Sequence, residues 1–568
     1  MIGIDLGTTN TAIAVWRDGR PQLIPNSLGH WLTPSAVSID DDGQILVGLA
    51  ARERQVTHPH LTATAFKRYM GTNRIARLGE REFLPEELSA LVLGRVKADA
   101  ENHLGVAVDS AIITVPAYFN DKQRKATRRA GELAGLKVDR LINEPTAAAL
   151  AYGIHRRQDE TRYLVFDLGG GTFDVSVLEI FEGVIEVRAS TGDSYLGGED
   201  FNEVLIRDML GKFGGSWGFT SREQNPVLYE LLREQAERAR RQLSAAEGAT
   251  MVVAWDDRHF EHAVTADQFE RLCQGLLTRL RDPVIRALRD CNVDIDELKE
   301  IVLVGGATRM PIVRRAVTRM FGRFPSTELN PDEAVALGAA IQAGLKARDA
   351  ALKEVVLTDV CPYTLGVDTG ERRPDGTVRQ DVFAPIIERN TVIPASREKR
   401  FTTIADGQQK IVFKIYQGES RIASENIYLG TIEMPVPPRR AHEVGVICRF
   451  TYDINGLLEV DVQISATGER RQLVIFDRDP AEAGLNVEER RQELSQLKIH
   501  PRERDANRAA LARANRCYEH FLGDTREEVR RLIANYETVL DAQDPAAADR
   551  ARLRLLAALD LLEGKSFL

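Results

Sequence analysis

The sequence is poor in everything that would mark a secreted, metal-clamped or membrane-spanning chain. Its five cysteines, Cys273, Cys291, Cys361, Cys448 and Cys517, are scattered, odd in number and without C-x-x-C spacing, so neither a disulfide framework nor a zinc site is indicated. They read as buried thiols. Apolar runs such as Ile301 to Val304 fall far short of the roughly 20 residues of a membrane helix. Met1 leads directly into Ile2-Gly3-Ile4-Asp5 without a basic segment, an apolar stretch or a small-residue cleavage site, so no secretory signal is read and the expected location is cytoplasmic. There is no excess of positive charge: 75 Lys plus Arg face 84 Asp plus Glu, a net charge of -9, so no global field recruits nucleic acid or anionic lipid. What is present is ordinary globular material, 43% apolar and 28% charged, over 568 residues. That length implies roughly four structural units.

From residue 1 to 350, short β-branched strands such as Ala111 to Val115, Tyr163 to Asp167 and Ile301 to Val304 alternate with helical stretches, the α/β pattern. Residues 351–359, containing Lys353-Glu354-Val355-Val356-Leu357-Thr358-Asp359, read as an extended linker. From 360 to 479 the apolar period changes to two, as in Ile411-Val412-Phe413-Lys414-Ile415-Tyr416, which predicts an antiparallel β domain. From 480 to 568, Ala/Leu/Arg/Glu stretches with i, i+3, i+4 spacing predict a helical tail.

One internal repeat carries more than any composition figure. Asp5-Leu6-Gly7-Thr8-Thr9 lies between apolar strands, and Asp167-Leu168-Gly169-Gly170-Gly171-Thr172 repeats the strand, tight turn, strand unit 162 residues later. Glycine lets backbone N–H groups approach an anion closely, and threonine adds hydroxyl donors, so two such turns can grip one polyphosphate. The Asp opening each turn can hold a hydrated magnesium ion, which makes Asp5 and Asp167 metal candidates. Either motif alone would equally suit a hairpin whose Asp makes an Asx-turn; the recurrence argues for two related lobes facing one cleft. Val304-Gly305-Gly306-Ala307-Thr308-Arg309 adds a third glycine site at a strand end, placing a nucleoside-sized pocket there. Glu144 opens an Ala-rich helix with Pro145 in its first turn; it could orient an attacking water, or simply be an acid favoured by the helix dipole. Glu237, Arg240, Arg241 and Ser244 share one helix face, which spacing alone would read as solvated. Lys67 has no local signature.

These stretches, together with Val115-Pro116-Ala117-Tyr118-Phe119-Asn120-Asp121, Asn143-Glu144-Pro145-Thr146, Leu196-Gly197-Gly198-Glu199-Asp200-Phe201 and Asn330-Pro331-Asp332-Glu333-Ala334, resemble the seventy-kilodalton heat-shock chaperones of DnaK type, within the actin and sugar-kinase ATPase fold. The resemblance implies an α/β two-lobed actin-like ATPase domain, a linker, an antiparallel β-sandwich that grips short extended apolar peptides, and a short α-helical lid. It implies ATP/ADP and Mg2+ as cofactors, with Gly7, Thr8, Thr9, Asn10, Gly170, Gly171 and Thr172 at phosphate-contacting positions and Asp5 and Asp167 holding magnesium through waters. Lys67 matches the catalytic lysine, and Glu144 and Asp174 match acids around the attacking water; the pattern does not say which of them, if either, is the base. Gly198, Glu237, Arg240, Arg241, Ser244, Gly306, Arg309 and Asp332 complete the nucleotide pocket, with Arg240 standing where Lys is usual. Pro116 and Arg124 match a relay toward the peptide domain; Arg140 and Asp359 match positions for interdomain docking and J-domain stimulation. Val367, Phe401, Ile404, Ile411 and Phe413 match the peptide groove.

Departures from the pattern narrow the expectation. Gly370 stands where Met is common and Ile404 where Ala is common, an insertion runs from about Glu371 to Asp381, and Thr358 replaces an expected linker Leu. The segment between Ser244 and Val264 lacks a long exposed loop, which argues against dependence on a nucleotide-exchange factor. With the short tail, these features resemble the specialised bacterial HscC-like branch, implying a narrow client range and a dedicated J-domain co-chaperone; the iron-sulfur-assembly branch is the nearest alternative. A metabolic kinase or a filament former on the same ATPase fold would share the phosphate motifs, but neither needs the β and helical segments after Ala350.

Overall fold

Apolar residues dense enough to be buried on both faces build the first sheet. β1 (Ile2–Leu6), β2 (Asn10–Arg17) and β3 (Arg20–Ile24) are joined by tight turns, a longer loop leads to β4 (Leu32–Pro34), and β5 (Ser110–Val115) and β6 (Lys137–Asn143) lie parallel on the far side of β1, giving the order β6-β5-β1-β2-β3 with β4 also on β2. Ala111, Ile112, Ile113 and Val115 are fully buried, as parallel strands covered on both faces require. The second sheet repeats the plan. β7 (Thr161–Leu168), β8 (Phe173–Phe181) and β9 (Val184–Asp193) form an antiparallel meander, β10 (Leu298–Val304) runs parallel on the outer side of β7, and β11 (Val356–Val360) runs parallel to β9. In both sheets a strand carrying the motif Asp has an antiparallel neighbour on one side and a parallel one on the other, so the sequence repeat is also a repeat of strand pairing.

The computed structural model describes residues 1–152, 161–181, 184–218, 221–222, 224–255, 258–349, 352, 356–372, 378–453, 456–475 and 500–565, in two units, Met1–Tyr363 and Thr364–Leu568. The helices that matter for the site in the first unit are α1 (Glu144–Ala151), α2 (Gly198–Trp217), α3 (Pro226–Gln242) and α4 (Ala334–Lys346). Small residues let α4 lie close on β1, β2 and α1: a Cβ on Gly338 would overlap the Ala147 carbonyl, and one on Gly3 would strike the α4 backbone. Backbone cannot yield as a flexible side chain does, so Gly338→Ala is expected to cost about 3 kcal/mol and to lower Tm by roughly 5 °C, measurable by calorimetry of the first unit's transition.

Three expectations are corrected here. Residues 356–359, read as linker, form with Val360 a strand in register with β9 (Val184↔Val356, Glu186↔Thr358); residues 351 and 353–355 of the linker stretch lie outside the described residues. The unit boundary falls after Tyr363 rather than at 359, because Tyr363 donates its hydroxyl to the Tyr118 carbonyl at 3.1 Å and packs its ring 4.5 Å from that of Tyr118. Cys291 is only half-buried, whereas the other four thiols are buried. Among the described residues no helix is long and apolar enough to cross a membrane.

In the second unit, β12 (Leu365–Arg372), β13 (Val378–Ile387), β14 (Ala395–Thr402), β15 (Lys410–Gln417), β16 (Ile427–Pro435), β17 (Gly445–Tyr452), β18 (Leu458–Ile464) and β19 (Arg470–Ile475) form two antiparallel sheets, β13-β12-β15-β16 and β14-β17-β18-β19. The insertion lengthens the β12–β13 hairpin, pairing Glu371 with Arg379; its tip, 373–377, lies outside the described residues. So does the stretch 476–499, where the helical tail was expected to begin. From residue 505 the tail is helical: α5 (Asp505–His520), α6 (Gly523–Asp541) and α7 (Pro545–Lys565) share a core that includes Ala514, Val529, Leu540 and Leu559.

Candidate functional site

The two repeated turns meet tip to tip. Gly170 packs against the Thr9 side chain and Gly171 against Thr8, with Gly197 so close behind that a Cβ there would overlap the backbone of Gly170 and Gly171. Hydrogen bonds lock each turn: Ser35 Oγ donates to Gly7 O at 2.7 Å, Gly169 N–H donates to Thr172 O at 3.0 Å, and the first N–H groups of α2, on Gly198 and Glu199, donate to Gly169 O and Gly170 O at 2.9 Å each. Between the turns and the third glycine site opens a cavity of about 450 Å3.

Lining it are Asp5, Gly7, Thr8, Thr9, Asn10, Lys67, Glu144, Asp167, Gly170, Thr172, Gly198, Glu237, Arg240, Arg241, Ser244, Gly306, Arg309 and Asp332. Two expected residues stand back from it. Gly171 gives its carbonyl to Arg68 Nε at 3.1 Å, and Asp174, paired across the hairpin with Asp167, accepts the Tyr118 N–H at 3.0 Å. Sequence reasoning passed over Glu199 on the cavity wall and Arg68, which bridges the Gly171 carbonyl and the Asp200 carboxylate.

At the inner end, Lys67 is 3% exposed and donates from Nζ to Glu144 Oε1 at 2.8 Å. Asp5, which accepts from Thr114 Oγ1 at 3.0 Å, Asp167 and Asp174 crowd the same region. Burial and the neighbouring Glu144 push the Asp5 carboxyl up to about 7 and that of Asp174 up to about 8, and hold Asp167 well above the usual range, with Lys67 opposing all three. Crowded carboxylates are the oxygen donors that a hydrated magnesium ion takes; among the described residues no group of three or more His, Cys, Asp or Glu side chains is placed to hold a metal ion. At the outer end, burial would raise Glu237, but Arg52 (3.0 Å), Arg241 (2.6 Å) and Arg240 outweigh it and hold it below its usual range. Arg240 Nε donates to Asn202 Oδ1 at 2.7 Å, and Arg309 donates to Asp332 at 2.8 and 2.9 Å.

The raised carboxyls make a pH prediction. Because the folded chain holds protons that the unfolded chain has lost, these groups stabilise the fold at low pH, and that contribution falls as pH rises from about 4 through about 8. A cation held by these carboxylates needs their ionised forms, so stabilisation by any such ligand is expected to grow over the same range. Thermal shift between pH 6 and 8.5, with and without Mg-ADP, reads both slopes; Asp5→Asn should flatten the ligand-free one.

A second network leads away from the cavity. Beyond Asp174 and Tyr118, Pro116 O accepts the Phe119 N–H at 3.1 Å, and Arg124 donates to Phe119 O (3.1 Å), Ala117 O (3.3 Å) and Asn143 Oδ1 (2.6 Å). Asn143 Nδ2 then donates to both carboxylate oxygens of Asp359, at 2.8 and 2.6 Å. Burial raises Asp359 while Arg124 and Arg140 lower it, and burial lowers Arg140. From sequence alone Asn143 reads only as part of a helix opening.

In the second unit, Val367 is buried on β12, Phe401 meets Phe413 edge to face at 5.2 Å, Ile411 is half-buried, and Ile404 is 41% exposed just past β14. That leaves an aromatic pair and an aliphatic side chain near one end of β14.

A family model described as Hsp70 protein matches residues 1–77 and 74–558. The chain is also 43% identical over 491 residues, 84% of its own length and 80% of theirs, to proteins named Chaperone protein DnaK from Thermotoga petrophila and Thermotoga maritima.

Proposed function

The chain belongs to the Hsp70 family and is an ATP-dependent chaperone of DnaK type, and from that premise we propose how its residues divide the work. The observation that carries the reading is the convergence of both glycine turns, Lys67 and the Glu237–Ser244 face on one cavity. ATP lies with its phosphates between the turns, held by Gly7, Thr8, Thr9, Asn10, Gly170 and Thr172, and its adenosine between Glu237, Arg240, Arg241, Ser244, Gly306 and Arg309, where an Arg stem can stack on the base. Asp5 and Asp167 would hold Mg2+, which would supply charge neutralisation of the phosphates. Lys67 places a buried positive charge beside the transferred phosphoryl, and Glu144 on the cavity wall and Asp174 behind it are the acids around the attacking water. Lys67 is kept in place by its bond to Glu144.

The second unit takes an extended apolar peptide at Val367, Phe401, Ile404, Ile411 and Phe413, with the sheets acting as a β-sandwich and the helices as a lid. The path from Asp174 through Tyr118, Pro116, Arg124 and Asn143 to Asp359, with Arg140 beside it, relays nucleotide state toward that unit. The altered Gly370 and Ile404 and the lengthened hairpin favour a narrow client range, as pocket shape discriminates peptides; an HscC-like branch, a dedicated J-domain co-chaperone and a cytoplasmic location complete the proposal. Release of a fluorescent apolar peptide on adding Mg-ATP, compared with Mg-ADP, tests it. Faster release with ATP is expected; equal rates, or phosphorylation of a sugar from a substrate panel, would overturn it.

A further inference from the structure

The edge of β14 is partly closed by the helical tail. In the turn between α6 and α7, Gln543 accepts the Glu398 N–H on Oε1 at 2.9 Å and donates from Nε2 to the Glu398 carbonyl at 3.1 Å. Its side-chain amide thus occupies both backbone groups that an added strand would use. Among the described residues β14 pairs only with β17 in its sheet, so the outward backbone groups belong to alternate residues: Ser396, Glu398, Arg400 and Thr402. Beside the cap, Arg397 donates to the Ser396 carbonyl at 3.0 Å and lies in the field of Asp544 from the same turn. At the other end, the Ile404 N–H is taken by Gln408 Oε1 at 2.9 Å. Exposure follows the cap: Ser396, Arg397 and Glu398 are half-buried, whereas Arg400 and Thr402 are exposed.

We infer that Gln543 is a specificity-determining stop, which limits a bound peptide to backbone pairing with Arg400 and Thr402. The inference rests on the peptide-binding reading above and adds its length rule. An unpaired edge accepts any extended chain; here a two-residue window lies between two glutamine amides, beside the Phe401–Phe413 pair.

Gln543 sits at φ +56°, so Gln543→Gly removes the amide without straining the backbone. The test is affinity across a series of apolar peptides of increasing length, with amide exchange at Glu398. In the wild type, affinity is expected to stop rising once the window is spanned, with the Glu398 amide protected whether or not peptide is present. In Gln543→Gly the plateau should move two residues longer with a further gain of roughly fivefold, and Glu398 should be protected only with peptide. Gln543→Asn, which tolerates the same backbone and is one methylene too short, repeats the test should the glycine variant fold poorly. The same plateau length in wild type and variants overturns the stop while leaving peptide binding intact; no binding at any length overturns both.

Discussion

Lys67→Ala is expected to lower single-turnover ATP hydrolysis by about 10²- to 10³-fold, the scale set by removing one preorganised group from a water-excluded site. Nucleotide should still bind, because the Glu237–Ser244 face and Arg309 at the other end of the cavity are untouched. The size of the effect follows from the surroundings of Nζ. It donates to Glu144 at 2.8 Å, lies over the Phe119 ring at 5.7 Å, and opposes the raised carboxyls of Asp5, Asp167 and Asp174. Without it, Glu144 loses its buried partner and the three Asp carboxyls rise further, so the proton acceptor is blunted together with the phosphoryl clamp. Lys67→Arg should recover little, since a planar fork does not replace a compact point charge in a space shaped for one. Single-turnover hydrolysis with tight-binding fluorescent ADP as a binding control separates the two effects; turnover within threefold of wild type in both variants would remove Lys67 from the mechanism.

What the sequence made legible was local. Each phosphate turn is a contiguous motif flanked by its own strands, so its chemistry could be read without knowing what it faced. The antiparallel half of the strand pairing around Asp5 and Asp167 follows from the same stretches; the parallel partners, Ser110–Val115 and Leu298–Val304, lie more than a hundred positions away. Lys67 could not be found by spacing, because it reaches the site on a short 3₁₀ turn, Phe66–Tyr69, and its partner Glu144 lies 77 positions away. Arg68, next along that turn, was missed for the same reason: its contacts, the Gly171 carbonyl and Asp200, are both distant in the chain. The strand at Val356–Val360 looked like linker because its partner β9 lies far upstream and no turn announces the pairing. Its β-branched and apolar run was the available signal. Asn143 offered a subtler one. It occupies the N-cap of α1, where an Asn side chain ordinarily accepts from the helix, yet it makes no cap hydrogen bond. The amide is committed elsewhere, to Arg124 and Asp359.

That commitment makes Asn143 the position at which the proposed relay should be easiest to break. Asn143→Ala removes the acceptor of Arg124 and both donor bonds to Asp359 at once. Arg124 keeps the Phe119 and Ala117 carbonyls and Asp359 keeps the Val360 N–H at 2.8 Å, so the loss is expected to be about 2–3 kcal/mol, the range for hydrogen bonds to charged groups, rather than that of a fully orphaned buried ion. Basal ATP hydrolysis should stay within a few-fold, while the acceleration of peptide release by Mg-ATP should largely disappear. Asn143→Asp sharpens the test by placing a second carboxylate against Asp359. Burial already raises Asp359, so it is the readier of the two to take a proton, and one shared proton would rebuild a hydrogen bond across the pair. The Asp variant should therefore be less stable than the Ala variant at pH 8 and gain on it as pH falls toward 5, because the folded state now binds the extra proton more tightly than the unfolded chain. Comparing chemical denaturation of the two variants across that range gives the sign directly. Parallel pH profiles would mean that Asp359 does not feel position 143 as a charge, and the relay would then have to run from Arg124 to the strand at Val356–Val360 by another route.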